Sequence, residues 1–185
     1  MKIVLNGTYG GFNLSYEAQA LYLQAKGQEA YFYADVSSYD DFTKKHHYTL
    51  ISFADLSKVK NILYIYCSTT YQGDKIDHFP EDVVNFRDID RTDPVLVSVV
   101  ETMGSKAASG RFASLEIQEI PDNTLYKIDE YDGLEDIITQ DDDDWILAQE
   151  NTCSPDITAQ IQNLWATIKP APVNYDPDLM FRYDK

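Results

Sequence analysis

The stretch KIVLNGTYGGFNLSY, residues 2–16, decides how the chain is read. Ile3, Val4 and Leu5 form a short continuous apolar run, the pattern of a strand buried on both faces. Gly7, Gly10 and Gly11 mark a loop, and Ser15 stands where a helix N-cap is expected, with Glu17 in the first turn. Ala18, Leu21, Tyr22 and Ala25 follow at helical spacing, and Gly27 closes the helix as its C′ residue. With Glu29–Tyr33 as the next strand, the first thirty-three residues read as a βαβ unit.

Outward from this unit, residues 35–47 are polar and read as a loop or a short irregular helix. Tyr48–Phe53 and Asn61–Cys67 read as strands around a short turn or helical piece at about Leu56–Val59. Residues 68–93 read mostly as connection. Asp93 and Pro94 are an N-cap and N1 pair, opening a central helix whose buried stripe is Val95, Leu96, Val99, Val100, Met103 and Ala107. Gly104 either ends or weakens this helix, and Ser109–Gly110 is the stronger stop. Leu115–Ile120 and Leu125–Glu130 alternate apolar and polar residues about a Pro-Asp-Asn turn and are expected to pair as an antiparallel hairpin. Tyr131–Asp132–Gly133 is a further turn, followed by a strand or helical turn at Leu134–Thr139. A last helix starts at Ser154–Pro155–Asp156, carries Ile157, Ile161, Leu164, Trp165 and Ile168 on one face, and stops before Pro170. The expectation is a single α/β domain over residues 1–169, with a mixed β-sheet, an N-terminal βαβ unit, a central helix, an antiparallel hairpin and a C-terminal helix. Residues 170–185 read as an extended tail.

Charge narrows the partners. Thirty-one acidic residues against fifteen basic give a net charge of −16, a field that repels DNA, RNA and anionic membrane. It suits basic protein partners, or mimicry of a phosphate backbone. The fourteen tyrosines fit strands of a half-buried sheet, or flat surfaces for stacking and self-association. Cys67 and Cys153 have no paired spacing, so neither a disulfide framework nor a zinc site is expected. The start reads as a strand rather than a signal peptide, and no apolar run reaches membrane-spanning length, which predicts a cytosolic protein.

Two groups of residues are candidates for a site. Asn6, Thr8, Tyr9, Gly10, Gly11 and Asn13 surround the loop at the carboxyl end of the first strand, where α/β proteins bind ligands. The loop fits neither the dinucleotide fingerprint nor a P-loop, so a structural turn and a phosphate cradle both stay open. Arg87, Arg91 and Arg111, with Lys106, concentrate cationic groups in an acidic chain. They read either as an anion site or as partners of Asp88, Asp90, Asp93 and Glu101. The adjacent His46 and His47 point different ways in a regular element, and the run Asp141–Asp144 lacks the spaced oxygens of a calcium loop, so no metal is expected. No serine elbow or cysteine–base pair supports nucleophilic catalysis; no cofactor is implied and enzymatic activity is not assigned.

KIVLNGTYGGFNLSYEA and DRTDPVLVSVVETMGSKAASGRFASLEIQEIPDNTLYKIDEYDGLEDI together resemble a widespread group of small, functionally uncharacterised tailed-bacteriophage proteins. The similarity covers about residues 1–18 and 87–138, through R-x-D-P-x-L, A-x-G-R-F-A-x-L, E-I-P-D and E-Y-D-G-x-E. It implies a phage origin, a compact α/β domain and a place in the host cytoplasm, and transfers no activity. Phage accessory proteins of this size often blunt host defences. The leading expectation is therefore an antagonist that sequesters a small phosphorylated nucleotide-derived signal, such as a cyclic dinucleotide or a cyclic ADP-ribose. The alternatives are an acidic DNA mimic or protein-binding inhibitor, and a hydrolase of a nucleotide signal. Homo-oligomerisation is compatible with any of these.

Overall fold

In the computed structural model, which describes residues 1–36, 46–58, 64–139, 146–147 and 150–168, β1 (Lys2–Asn6) sits at the middle of the molecule and pairs antiparallel with β6 (Leu115–Glu119). Its continuous apolar run is explained by cover on both sides. Val4 faces a helical core, while Ile3 and Leu5 face a second cluster with Ile120 and Tyr126. The outer edge of β1 is satisfied group by group. The N–H of Lys2 donates to Asn151 Oδ1 (2.9 Å), that of Val4 to the Arg91 carbonyl (2.8 Å), and that of Asn6 to Glu135 Oε2 (3.0 Å). Three segments distant in sequence are thus tied to alternate residues of one strand, and no backbone donor on that edge is left buried without a partner.

The strand–helix–strand order over the first 35 residues is present, with α1 at Tyr16–Ala25 and β2 at Tyr31–Asp35. Its strands, however, enter different sheets, so the parallel pairing of a βαβ unit does not form. β2 lies inside a four-stranded antiparallel sheet of order β4-β2-β3-β5, with β3 at Tyr48–Ile51, β4 at Ile65–Ser68 and β5 at Lys75–Ile76. One face of this sheet places Phe32 and Cys67 in the helical core, where Tyr16 of α1 meets Phe32 edge-on at 5.8 Å. The other face carries Tyr31, Tyr33, Tyr48 and Tyr66 around a smaller cluster.

The central helix α2 (Pro94–Met103) is capped by Asp93, whose carboxylate accepts the Val95 N–H, and is buried along nearly its whole length. The chain turns at Gly104 (φ 79°), so the expected single helix becomes α2 and the short α3 (Ser105–Ala108). α4 (Pro155–Ile168) packs Ile161, fully buried, against α1 and α2.

The expected hairpin between residues 115–120 and 125–130 is replaced by other pairings. β6 goes to β1, and β7 (Leu125–Tyr131) pairs with β8 (Leu134–Ile138) and β9 (Ile146–Leu147). The reason lies in Asp132 (φ 52°) and Gly133 (φ 84°), a two-residue turn with both residues left-handed, whose twist matches an antiparallel pair better than a longer link containing Pro121. The β7–β8 hairpin covers the outer face of β1. The architecture is mixed α/β with antiparallel sheets. The acidic run Asp141–Asp144 and the tail 170–185 lie outside the described residues.

Candidate functional site

The glycine loop between β1 and α1 is closed from two sides. Asn6, fully buried, donates through Nδ2 to the carbonyls of Thr8 (2.6 Å) and Gly133 (2.5 Å), and its Oδ1 accepts the Ser114 N–H (2.8 Å). The Gly7 N–H donates to the Ser114 carbonyl (2.8 Å) and the Gly10 N–H to that of Asp132 (3.2 Å). A methyl group at Gly10 (φ 118°) would lie 2.6 Å from the Phe112 carbonyl oxygen, and one at Gly133 would lie 2.1 Å from the Gly11 nitrogen. These glycines let backbone meet backbone; the Gly7 and Gly10 amides face protein carbonyls, and the Gly133 amide donates to Glu130 Oε1 (2.8 Å). The start of α1 is likewise occupied: Ser15 Oγ accepts from Ala18 N–H and donates to the Ala107 carbonyl at 2.7 Å.

Arg91 lies beneath this loop as a structural residue. Its Nε and Nη2 grip Glu135 at 2.7–3.1 Å, and Nη1 donates to the Ile89 (2.6 Å) and Arg87 (3.0 Å) carbonyls. The guanidinium carbon stacks 3.5 Å from the Phe12 ring centroid. Four of the five N–H donors of the fork are directed at acceptors within the protein. The acid it pairs with is Glu135, none of the carboxylates close to it in sequence.

Arg87 and Arg111 are placed differently. Both line an open cleft of about 510 Å³ between the start of α1, the edge strand β4, residues 83–87 and residues 111–112. Arg87 follows Phe86 in a single 3-10 turn opened by Asn85, and its guanidinium carbon lies 4.0 Å from where a Gly11 side chain would begin. Arg111 lies over the Phe112 ring, 5.1 Å from its centroid. Neither guanidinium has an ion-pair or hydrogen-bond partner among the described residues. Of the other expected site residues, Asn13 lines the cleft, Gly11 borders it, and Gly10 abuts Phe112. Tyr9 is 61% exposed and, like Lys106 and Thr8, is not among the residues lining it.

Sequence reasoning missed the aromatic walls. Tyr64, Phe79 and Phe112 stand more than half exposed at the cleft, with Tyr16, Tyr66 and Phe86 deeper. Two signals were available: Phe112 directly follows Arg111, and β4 ends the aromatic run in NILYIYC. Burial pushes the Tyr16 phenol up, partly opposed by the Arg111 charge, so its hydroxyl keeps its proton at neutral pH. Burial also pushes the Cys67 thiol, on the cleft floor, up to about 12. Among the described residues, no carboxylate or imidazole lines the cleft and no metal-binding cluster of three or more His, Cys, Asp or Glu occurs. No helix of the described residues is long and apolar enough to cross a membrane. What the arrangement offers is two guanidinium forks beside flat apolar faces. These chemical features have to be read on their own, because no protein-family model, curated protein or solved structure matches this chain.

Proposed function

We propose that this chain is a binding protein for a small phosphorylated ligand of nucleotide type, held in the cleft at Arg87 and Arg111. The observation that carries this reading is the pair of arginines on one aromatic-lined cleft that have no carboxylate partner among the described residues, in a chain of net charge −16. Guanidinium forks match phosphate oxygens two at a time. Tyr64, Phe79 and Phe112 offer ring faces to a base, and the Tyr16 hydroxyl offers a hydrogen bond. The cleft volume falls in the range of roughly 300–1,000 Å³ usual for small ligands. Binding is favoured over turnover, since no carboxylate or imidazole among the described residues lines the cleft and the Cys67 thiol keeps its proton. The phage resemblance supplies a setting: sequestration in the host of a nucleotide-derived defence signal.

The test is thermal stability against a panel of cyclic dinucleotides and ADP-ribose-type compounds, with chromatography of the incubated ligand. A ligand at about a hundredfold excess over its Kd raises stability by about 3 kcal/mol. The shift is expected to vanish in Arg87→Ala/Arg111→Ala and to survive in Tyr9→Ala. A panel without any shift removes the proposal, and appearance of product replaces it by a hydrolase. The net charge itself favours a second reading, an acidic inhibitor of a basic host protein. That reading predicts salt-sensitive capture indifferent to Arg87→Ala/Arg111→Ala.

A further inference from the structure

A second cavity, of about 350 Å³, lies between the start of β1, one face of α2 and residues 150–158. α2 turns Pro94, Val97, Ser98 and Glu101 toward it, the i, i+3, i+4, i+7 spacing of a single helix face. Ser98 is 3% exposed, and its Oγ is the one buried side-chain polar atom without a hydrogen-bond partner among the described residues. A buried hydroxyl left unpaired costs free energy unless something fills the place beside it.

The rest of the lining indicates what would fit. Glu101, Glu119, Asp122 and Glu150 surround the cavity. Two cations are already committed there: Lys2 Nζ is paired with Glu101, and the Met1 amine lies 2.9 Å from Asp122. The Asn151 amide is used up on Lys2 and on the Thr92 carbonyl. Glu119 and Glu150 make no ion pair within 4 Å among the described residues, although the Glu119 charge acts at longer range on the Lys2 ammonium. The open groups are therefore two carboxylates and a hydroxyl able to accept, set beside the apolar sides of Val97 and Pro94. The carboxylates do not form a cluster suited to a metal ion. A primary ammonium brings three donors and a single charge on a stem of methylenes, which answers both halves of this surface.

We infer that this cavity is a second binding site, for the ammonium end of a small aliphatic diamine or polyamine, with Ser98, Glu119 and Glu150 as its acceptors. It is independent of the arginine cleft. The probes are putrescine and spermidine, titrated calorimetrically into the full chain at physiological salt. One saturable site is expected. Glu119→Gln/Glu150→Gln should weaken it about tenfold or more, as charge-assisted hydrogen bonds are lost. Ser98→Ala should weaken it about threefold to tenfold. Asp129→Asn/Asp136→Asn, the same charge change on the outer strands of the β7–β8 hairpin, should leave it unchanged. Equal weakening by the two double variants would reduce the effect to the general acidic atmosphere and overturn the site, as would absence of saturable binding. A lysine-rich peptide that binds where both amines fail would overturn the small-molecule assignment.

Discussion

Replacing Arg91 by methionine keeps much of the side-chain length and deletes the charge, which separates a structural arginine from a ligand-binding one. In the native chain the Arg91 side chain is 13% exposed and the Glu135 side chain 7%. Three hydrogen-bond contacts join them, two backbone carbonyls take the remaining guanidinium fork, and Phe12 covers its face. Methionine would leave the Glu135 carboxylate buried, with the Asn6 N–H at 3.0 Å as its remaining close donor. Breaking a buried pair from one side costs about 3–5 kcal/mol, because the surviving charge is uncompensated. Against a total stability of about 5–15 kcal/mol, that is a large fraction. With a urea m-value of about 2 kcal/mol/M, the midpoint should fall by about 2 M. Arg91→Lys should recover part of the loss, since lysine keeps the charge without the fork. Arg91→Met/Glu135→Leu should lose clearly less than the sum of its single variants. The assay is equilibrium urea unfolding followed by fluorescence, with m compared across variants. A loss under about 1 kcal/mol for Arg91→Met at unchanged m would refute the reasoning, since so small a cost belongs to an exposed pair.

Gly133→Ala places a methyl group 2.1 Å from the Gly11 nitrogen at a φ of +84°, and Gly10→Ala places one 2.6 Å from the Phe112 carbonyl at +118°. Each should cost about 2 kcal/mol or more in thermal or urea unfolding, and a neutral Gly133→Ala would mean the hairpin turn does not seat on the loop. Burial raises the Asp93 carboxyl, but bonds from Lys26, Tyr22 and the Val95 N–H outweigh it and leave it below its ordinary value of 3.8. A carboxyl lowered by folding stabilises above its unfolded pKa, and that contribution is lost as pH falls through the folded value. Asp93→Asn, which still caps α2, should therefore destabilise at pH 7 by about 1 kcal/mol and converge on the parent as pH drops below about 4, read from urea midpoints against pH. A gap that stays constant down to pH 2 would count against the ion-paired role. In native protein at pH 8, Cys153 should react with a disulfide reagent well before Cys67, whose thiol is pushed up to about 12; rapid modification of both would show that the cleft floor opens.

The elements were legible wherever the signal is local. Ser15 and Asp93 cap their helices because a short side-chain acceptor followed by helical periodicity has one economical conformation. Strand pairing was not legible in the same way. The run Ile3–Leu5 announces burial on both faces, which a parallel sheet between helices satisfies, and which a ribbon between a helical core and a hairpin satisfies equally. The dipeptide Asp132–Gly133 carried the decisive information about β7, since an Asp-Gly pair suits a two-residue turn with both φ positive, whose twist matches tightly joined antiparallel strands. For the site, glycine was ambiguous for a physical reason: a phosphate and a neighbouring backbone both demand the absence of Cβ. Arg91 misled because sequence shows the acids nearby and hides the one 44 positions on. Arg87 and Arg111 stand out in the sequence as cations, but their aromatic surroundings come from separated segments.

A local cationic site inside an acidic molecule also limits how large its ligand can be. At physiological ionic strength, charges interact over about 8 Å before screening dominates. Within that distance a phosphate held as proposed would meet Arg87 and Arg111; among the described residues no carboxylate lines the wall, though the Glu17 charge reaches Tyr16 there. Beyond it, a ligand meets the acidic surface whose sum is −16. A compact anion feels mainly the first field, whereas a polyanion with phosphates at regular intervals must lay most of them against the second. Added salt consequently acts in opposite directions on the two. It weakens the contact of a small phosphate with the forks, while relieving the repulsion of a duplex that should scarcely bind at low salt. A mononucleotide-sized ligand whose affinity falls with salt, alongside DNA whose weak association does not, is the pattern these charges dictate. On the proposed reading, the same charges would make the cleft selective for small anions without any element built to exclude large ones.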